Sequence, residues 1–339
     1  MLSIDGSYGE GGGQIIRTSL ALSLVTGKAF RAERVRANRN KPGLQRQHLT
    51  AVLSAAEIGQ AEVEGARVGA TEFTFIPGEV VQGDYNFSIG TAGSATLVMQ
   101  AVLPPLMLAS KPSVLTIEGG THNTHAPPFE FLQKTFLPLV NRTGRRISMQ
   151  LERYGFYPPG GGRINVLIEP TEERKRLDIP ERGEIQSTRA RALVVKLPSH
   201  IAERELAVVE QELGWMDEQL EIETSNNALS PGNVVTIEIE SEQVTEIFTG
   251  IGQRGVRAEA VAQSAVDEAK NYLASGAPIG EHLADQLLIP LALAGGGSYI
   301  TGALSLHTKT NIEIIKKFLD VKITTLQLSG SLWKIEIQE

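Results

Sequence analysis

Cysteine is absent from the 339 residues. That excludes a disulfide scaffold, a thiol nucleophile and any cysteine-ligated zinc site. Long apolar runs are missing too. The most hydrophobic stretch, Leu97 to Ala109, contains Gln100 and Pro104-Pro105 and is too short to span a bilayer. Met1 to Gly6 shows no basic start followed by an apolar segment, so the chain reads as cytoplasmic, soluble and without a membrane partner. A net charge of −7 argues against general coating of nucleic acid but leaves room for a local basic patch. What is present is 41% hydrophobic residues against 21% charged, enough for a sizeable core and too apolar for a disordered chain. The length suits about two domains of roughly 150 residues.

Three segments share one rhythm: helix, strand, polar loop, helix, strand, strand. In the first, a helical run over Ile15 to Leu24 leads to a strand over Ala29 to Arg36, and a second helix lies near Leu49 to Ile58. In the second, helices are expected over Ala95 to Ala109 and Phe129 to Asn141, with a strand over Val114 to Ile117 between them. In the third, helices over Leu283 to Ala294 and Asn311 to Leu319 flank a strand at Ser298 to Gly302. The expected class is therefore α/β (α+β), three repeated units around a pseudo-symmetric centre. The stretch 184–276 differs in composition and reads as an inserted α/β subdomain with nothing catalytic in it. It separates a core of two repeats (1–183) from a third repeat (277–339).

Gly9-Glu10-Gly11-Gly12-Gly13-Gln14 follows a short strand and opens a helix, a setting whose free amides suit an anion. It is not a dinucleotide fingerprint, because Gln14 stands where the last glycine is needed. Gly27-Lys28 is followed by Ala29, so it is not a phosphate-binding P-loop either. Arg17, one turn into the helix, places a cation near any bound phosphate, and Glu10 offers oxygen to a divalent metal. Arg31 to His48 holds six basic residues against the single acid Glu33. Strand alternation would put Arg34 and Arg36 on one face, as in a phosphate-tracking site for a nucleic-acid end, although a solvated basic loop fits as well. His122 and His125 have the spacing of a metal pair but no third ligand nearby. Thr310 and Glu313 form a capping-box pattern, which places His307 just before a helix start. There the dipole and Lys309 favour the neutral imidazole, as a nitrogen nucleophile needs, while a simple hydrogen-bonding histidine remains open.

These motifs, taken in order, resemble the RNA 3′-terminal phosphate cyclase family nearly end to end, most weakly in the insert. The matching stretches are Asp5 to Arg17, Lys41-Pro42-Gly43-Leu44 with Gln47-His48-Leu49, and Thr91 to Ser94 with Gln100. They continue through Gly119-Gly120-Thr121, Gly155 to Gly162, Asp285-Gln286-Leu287, and His307-Thr308 with Thr310. The resemblance implies three repeats of a unit similar to the C-terminal domain of translation initiation factor three, with a smaller domain inserted. It also implies ATP-dependent conversion of an RNA 3′-phosphate to a 2′,3′-cyclic phosphodiester through a covalent histidine-AMP.

The same resemblance implies His307 as nucleophile and Glu10 as holder of a divalent metal, Mg²⁺ or Mn²⁺. It places Arg17, Gln100, Pro127, Phe131, His282, Asp285 and Gln286 around ATP and its adenylate. Arg36, Arg39, Gln47 and His48 would cradle the phosphate of the RNA end. Two positions depart from the family pattern: His282 stands in place of a tyrosine, and Tyr154 in place of a basic residue. The implied partners are ATP and RNA with a 3′-phosphate end, with a homo-oligomer left open. Two other classes stay in competition: a non-catalytic RNA-processing scaffold, and an enolpyruvyl transferase built from similar repeats.

Overall fold

In the computed structural model, which describes residues 1–339, three stretches of chain lay down one order of elements: strand, helix, strand, helix, strand, strand. The first unit comprises β1 (Leu2–Asp5), α1 (Gly13–Thr26), β2 (Phe30–Glu33), α2 (Arg46–Ile58), β3 (Glu62–Glu64) and β4 (Phe73–Ile76). The second has β5 (Asp84–Ser88), α3 (Ala95–Leu106) and β6 (Ser113–Gly119). A π-helical turn (Phe131–Phe136) then runs into α4 (Leu137–Arg142), followed by β7 (Arg146–Arg153) and β8 (Gly162–Glu169). The third opens with β9 (Leu177–Ile179) and is interrupted at once by the insert. That insert holds β10 (Ile185–Val195), α5 (His200–Leu213), β11 (Leu220–Ser225), β12 (Gly232–Ser241), β13 (Thr245–Ile251) and α6 (Ala258–Ser275). The unit resumes with α7 (Glu281–Gln286), α8 (Leu288–Leu293), β14 (Gly297–Thr301), α9 (Leu306–Phe318), β15 (Lys322–Ser329) and β16 (Leu332–Gln338).

Each unit closes a four-stranded sheet of the same order: β1-β2-β4-β3, β5-β6-β8-β7 and β9-β14-β16-β15. The first two strands of each are parallel and the remaining pairs antiparallel. Parallel neighbours require a crossover, which the first helix of the unit supplies. Alternation does the rest: in β4, Phe73 and Phe75 are buried while Ile76 faces out. The mixed α/β class is as the sequence suggests, but every unit begins with a strand. In the third unit that strand lies before the insert.

Helix α1 is central, packed on α2, α3 and α9. Ten of its residues are buried, so it cannot carry a polar face, and Ser19 and Ser23 fit because they are small. One hydrophobic cluster of 62 residues runs through all three units, and the insert has its own cluster of 16. The insert also grips the third unit directly. Buried Glu246 on β13 accepts from the Gly280 N–H at 2.6 Å, and Tyr272 near the end of α6 donates to Pro278 O at 3.0 Å. Both contacts fix the segment that launches α7. No helix is long and apolar enough to cross a membrane.

Three local expectations are corrected. β2 stops at Glu33, and Arg34 and Arg36 take positive φ (51° and 53°), so they do not share a strand face. The helix expected over Leu283 to Ala294 is two short helices, α7 and α8. Helix α9 starts at Leu306 rather than Asn311. Its cap is Ser305, whose Oγ accepts from Thr308 N at 3.1 Å. His307 therefore sits inside the first helical turn, not ahead of it.

Candidate active site

The first turns of α1, α2 and α9 meet at one place. A Cβ on Gly13, the first residue of α1, would collide with His48 Nε2 of α2 and lie 2.9 Å from Arg17 Nη1. Glycine is what lets the imidazole lie against the helix start. Gly9 has φ +53°, and a side chain there would run into Thr310 Oγ1 of α9. Instead the Glu10 N–H donates to Thr310 Oγ1 at 3.0 Å, and that hydroxyl donates to Leu306 O at 2.7 Å. The glycine-rich loop is thereby tied to the helix that carries His307. Helix α1 starts without a side-chain cap and carries Arg17 one turn on, a setting for an anion, whereas the third amides of α2 and α9 are taken by the Gln45 and Ser305 side chains.

His307 is half-exposed. Its Nδ1 lies 3.2 Å from Gln14 Oε1, and its Nε2 lies 4.0 Å from Glu10 Oε1. Burial, and then the Arg17 and Arg39 guanidinium groups, push its imidazole below the usual histidine range. Gln14 turns its other end to Asp285, donating from Nε2 to Oδ2. Burial pushes Asp285 up to about 7, against the pull of Arg17. Arg17 itself is lowered to about 10 by burial and remains charged at neutral pH. Its Nε donates to Gln100 Oε1 at 3.3 Å, Gln100 Nε2 to Gln286 Oε1 at 2.9 Å, and Gln286 Nε2 to His282 O at 2.8 Å. Asn311 of α9 clamps the cluster, donating to Asp285 O at 2.8 Å and accepting from Thr18 Oγ1 at 2.7 Å. Behind these groups lies a cavity of about 50 Å³, lined by Gln14, Arg17, Gln100, Asp285, Gln286 and Asn311 together with apolar side chains.

Glu10 is nearly enclosed. Its Oε1 pairs with Arg39, whose Nη2 also reaches Glu10 O at 3.0 Å, whereas its Oε2 is buried without a partner. A buried carboxylate oxygen without a partner is one that a hard divalent cation would satisfy. No group of three or more His, Asp or Glu residues stands ready to cage a metal by itself.

The remaining residues singled out from the sequence are placed unevenly. His48 is buried, and burial, then Arg17 and Arg36, push it down to about 3. Its Nδ1 accepts the Gln45 N–H at 3.1 Å. Arg36 does not reach out: its Nη1 donates to Lys41 O at 2.6 Å and Gly43 O at 3.1 Å, holding the basic loop in shape. Gln47 Oε1 accepts from Ser94 N at 2.9 Å, at the start of α3. Pro127 O accepts from Thr96 Oγ1 at 2.8 Å, and Phe131 is packed in the main core; neither lines the cavity behind Arg17. His282 is exposed on α7, 3.9 Å from Glu268. His122 is buried while His125 is exposed, so the two do not form a pair. Reading the sequence missed Gln14, Thr310 and Asn311 as site residues. The usable signal was a polar residue at the start of an otherwise apolar helix.

A larger cleft of about 580 Å³ opens between the π-helical turn, β7 and the insert sheet, but most of its charges are already matched. Lys134 pairs with Glu238, and Arg191 with both Glu130 and Glu223.

Comparison with known proteins gives a uniform result. Residues 8–325 match the family described as RNA 3′-terminal phosphate cyclase. A protein of that name from Koribacter versatilis is 54% identical over 321 residues, covering 95% of this chain and 90% of that protein. One from Ectopseudomonas mendocina is 48% identical over 338 residues, covering 100% and 98%. A third, from Pseudomonas fluorescens, is 47% identical over 336 residues, covering 99% and 97%.

Proposed function

The chain belongs to the RNA 3′-terminal phosphate cyclase family, and we propose that it uses ATP to convert an RNA 3′-phosphate into a 2′,3′-cyclic phosphodiester through a covalent adenylate on His307. The observation that carries this reading is His307 itself: accessible, held below its usual pKa by burial and by Arg17 and Arg39, and set beside Gln14 and Glu10 at the uncapped start of α1. A neutral ring nitrogen in an anion site is poised to attack phosphorus.

In the first step His307 attacks the α-phosphate of ATP, and pyrophosphate leaves. Arg17, with Gln100 behind it, faces the charge that builds on the phosphoryl oxygens. Glu10 would hold a divalent metal through its open Oε2, and the metal would neutralise triphosphate charge. Asp285 and Gln286 border the nucleotide, with His282 and Pro127 as candidates for its base and Phe131 backing them from the core. In the second step the adenylyl group passes to the RNA 3′-phosphate, and in the third the vicinal 2′-OH attacks that phosphate and expels AMP. Arg39 and His48 are the direct candidates for the RNA phosphate, with Arg36 and Gln47 shaping the loop and helix start that present them. Such recognition reads a phosphate and a 2′-OH rather than bases, so weak sequence preference is expected.

The test is incubation with ATP labelled at the α-phosphate, followed by denaturing separation of wild type and His307→Ala. A label on the wild type alone, released by acid as a phosphoramidate is, supports the reading. A folded wild type that takes no label with Mg²⁺ or Mn²⁺ present sinks it.

A further inference from the structure

Gln14 carries no charge, cannot act as a base, and has no part in the steps above. Yet its side chain is the only bridge between Asp285 and His307. The polarity of that bridge follows from what each atom can do. Once ionised, Asp285 only accepts, so above about 7 the amide must turn Nε2 toward it. That leaves Oε1 facing His307 Nδ1, and a carbonyl oxygen also only accepts. The proton of the neutral ring must then reside on Nδ1. Nε2, on the side of Glu10 and the helix starts, is left with its lone pair free.

We propose that Gln14 is a positioning residue that sets the tautomer of His307, so that Nε2 is the attacking atom. The proposal rests on the histidine-adenylate reading and deepens it. The step balances without a separate base. The Nε2 lone pair forms the N–P bond while the bond from the α-phosphorus to the bridging oxygen breaks, and pyrophosphate takes that electron pair. The Nδ1 proton stays where it is. The ring becomes cationic, and the positive charge is met by Gln14 Oε1 and, through the amide, by the Asp285 carboxylate. When the adenylyl group moves on to RNA, the electron pair returns to Nε2 and the ring is again neutral with its proton on Nδ1. With the opposite tautomer Nε2 would carry a hydrogen and have no lone pair to offer.

The test reads the tautomer directly and needs no ATP. In protein labelled with ¹⁵N in histidine, long-range ¹H–¹⁵N spectra report which ring nitrogen is protonated, and His307→Ala identifies the His307 signals among the six histidines. The expected wild-type pattern is Nδ1–H with a bare Nε2. Gln14→Met, of similar length and without an acceptor oxygen, is expected to shift the ring toward Nε2–H and slow adenylylation by up to roughly 10⁴-fold, the loss seen where a catalytic histidine is left in the wrong tautomer. Gln14→Glu keeps an acceptor for Nδ1 but must share a proton with Asp285, so it is expected to hold the Nδ1–H pattern and to recover the rate only in part. A wild-type His307 protonated at Nε2 overturns the proposal, as does a folded Gln14→Met with unchanged tautomer and rate. If the wild type shows Nδ1–H and never takes label from ATP, the adenylate reading has failed and the tautomer assignment stands.

Discussion

Two histidines stand at matching places in the first and third repeats, each in the opening turn of the unit's second helix, and they are wired in opposite senses. His48 Nδ1 accepts from the Gln45 backbone N–H, which can only donate, so the neutral ring carries its proton on Nε2. His307 Nδ1 faces a carbonyl oxygen, which can only accept. His48 thus offers a donor to the shared site and His307 a lone pair. Burial sharpens the contrast: His48 is 5% exposed, whereas the His307 side chain is 53% exposed. The second repeat has no histidine at that place; its buried His122 lies in the loop after β6, with its two nitrogens 2.8 Å from Thr121 Oγ1 and 2.8 Å from Glu130 Oε2. With both nitrogens engaged, His122 is structural. At the two matching helix starts the wiring changes because the partner of one ring atom changes, a backbone N–H for His48 and an amide oxygen for His307.

The strongest way to break the comparison is to remove the two helix-start histidines in turn. His307→Ala should abolish the covalent adenylate altogether. His48→Ala should still form it and fail afterwards, with cyclisation of a 3′-phosphorylated RNA down by roughly 10²-fold, in the range for losing one donor to a developing charge. Labelled ATP reports the first step and chromatography of the RNA the last. Equal loss of the adenylate in both variants would erase the proposed division of labour.

The third histidine is tested through its partner. Although burial works against the charged form, His122 and then Arg191 hold the Glu130 carboxyl well below the usual range. Glu130→Ala strands both partners and should cost about 3–5 kcal/mol of stability, the usual penalty for breaking a buried pair. Denaturant unfolding measures it. Adenylylation by the fraction still folded should be nearly unchanged; a loss there would draw His122 into the chemistry.

The smallest expected effect sharpens the comparison by pH. Asp285, faced by Arg17 and Gln14 from α1, Tyr299 from β14 and Glu281 on its own helix, is a carboxylate only above about 7. Below that value it can donate to Gln14, invite the amide to flip and give His307 the wrong tautomer. The single-turnover adenylylation rate should therefore rise with pH through about 7, by up to about tenfold per unit on the acid side. Asp285→Asn, which does not titrate, should flatten the profile at a lower rate. An unaltered profile in that variant would assign the titration to another group.

Much of this was legible in the sequence, for physical reasons that differ by element. Helices α1, α2 and α3 announce themselves through apolar spacing because burial, not local propensity, decides them. β9 was invisible: three residues, paired with a strand more than a hundred positions away, leave no local period. His307 could be singled out, but its surroundings were misplaced by five residues. Ser305 caps the helix by taking the Thr308 N–H, while Thr310, the cap that the pattern suggests, lies inside it and turns its hydroxyl to Leu306 O and the Glu10 N–H. Arg34 and Arg36 read as alternating strand residues, whereas the chain leaves the strand at Glu33 and both take positive φ. Gln14 entered the reading only as a missing glycine, because its role depends on α7 and α9, which pattern analysis cannot bring together.

The position of β9 ahead of the insert has a consequence for how the chain assembles. Pairing Ile179 with Tyr299 closes a loop that spans the whole insert, and the entropy lost in closure grows with the logarithm of loop length. An insert that folds first acts as a rigid clip and reduces the free loop from about 120 residues to about 26, which lowers the closure cost by about 1 kcal/mol. An insert that folds first would thus serve as an internal scaffold on which the third repeat is assembled.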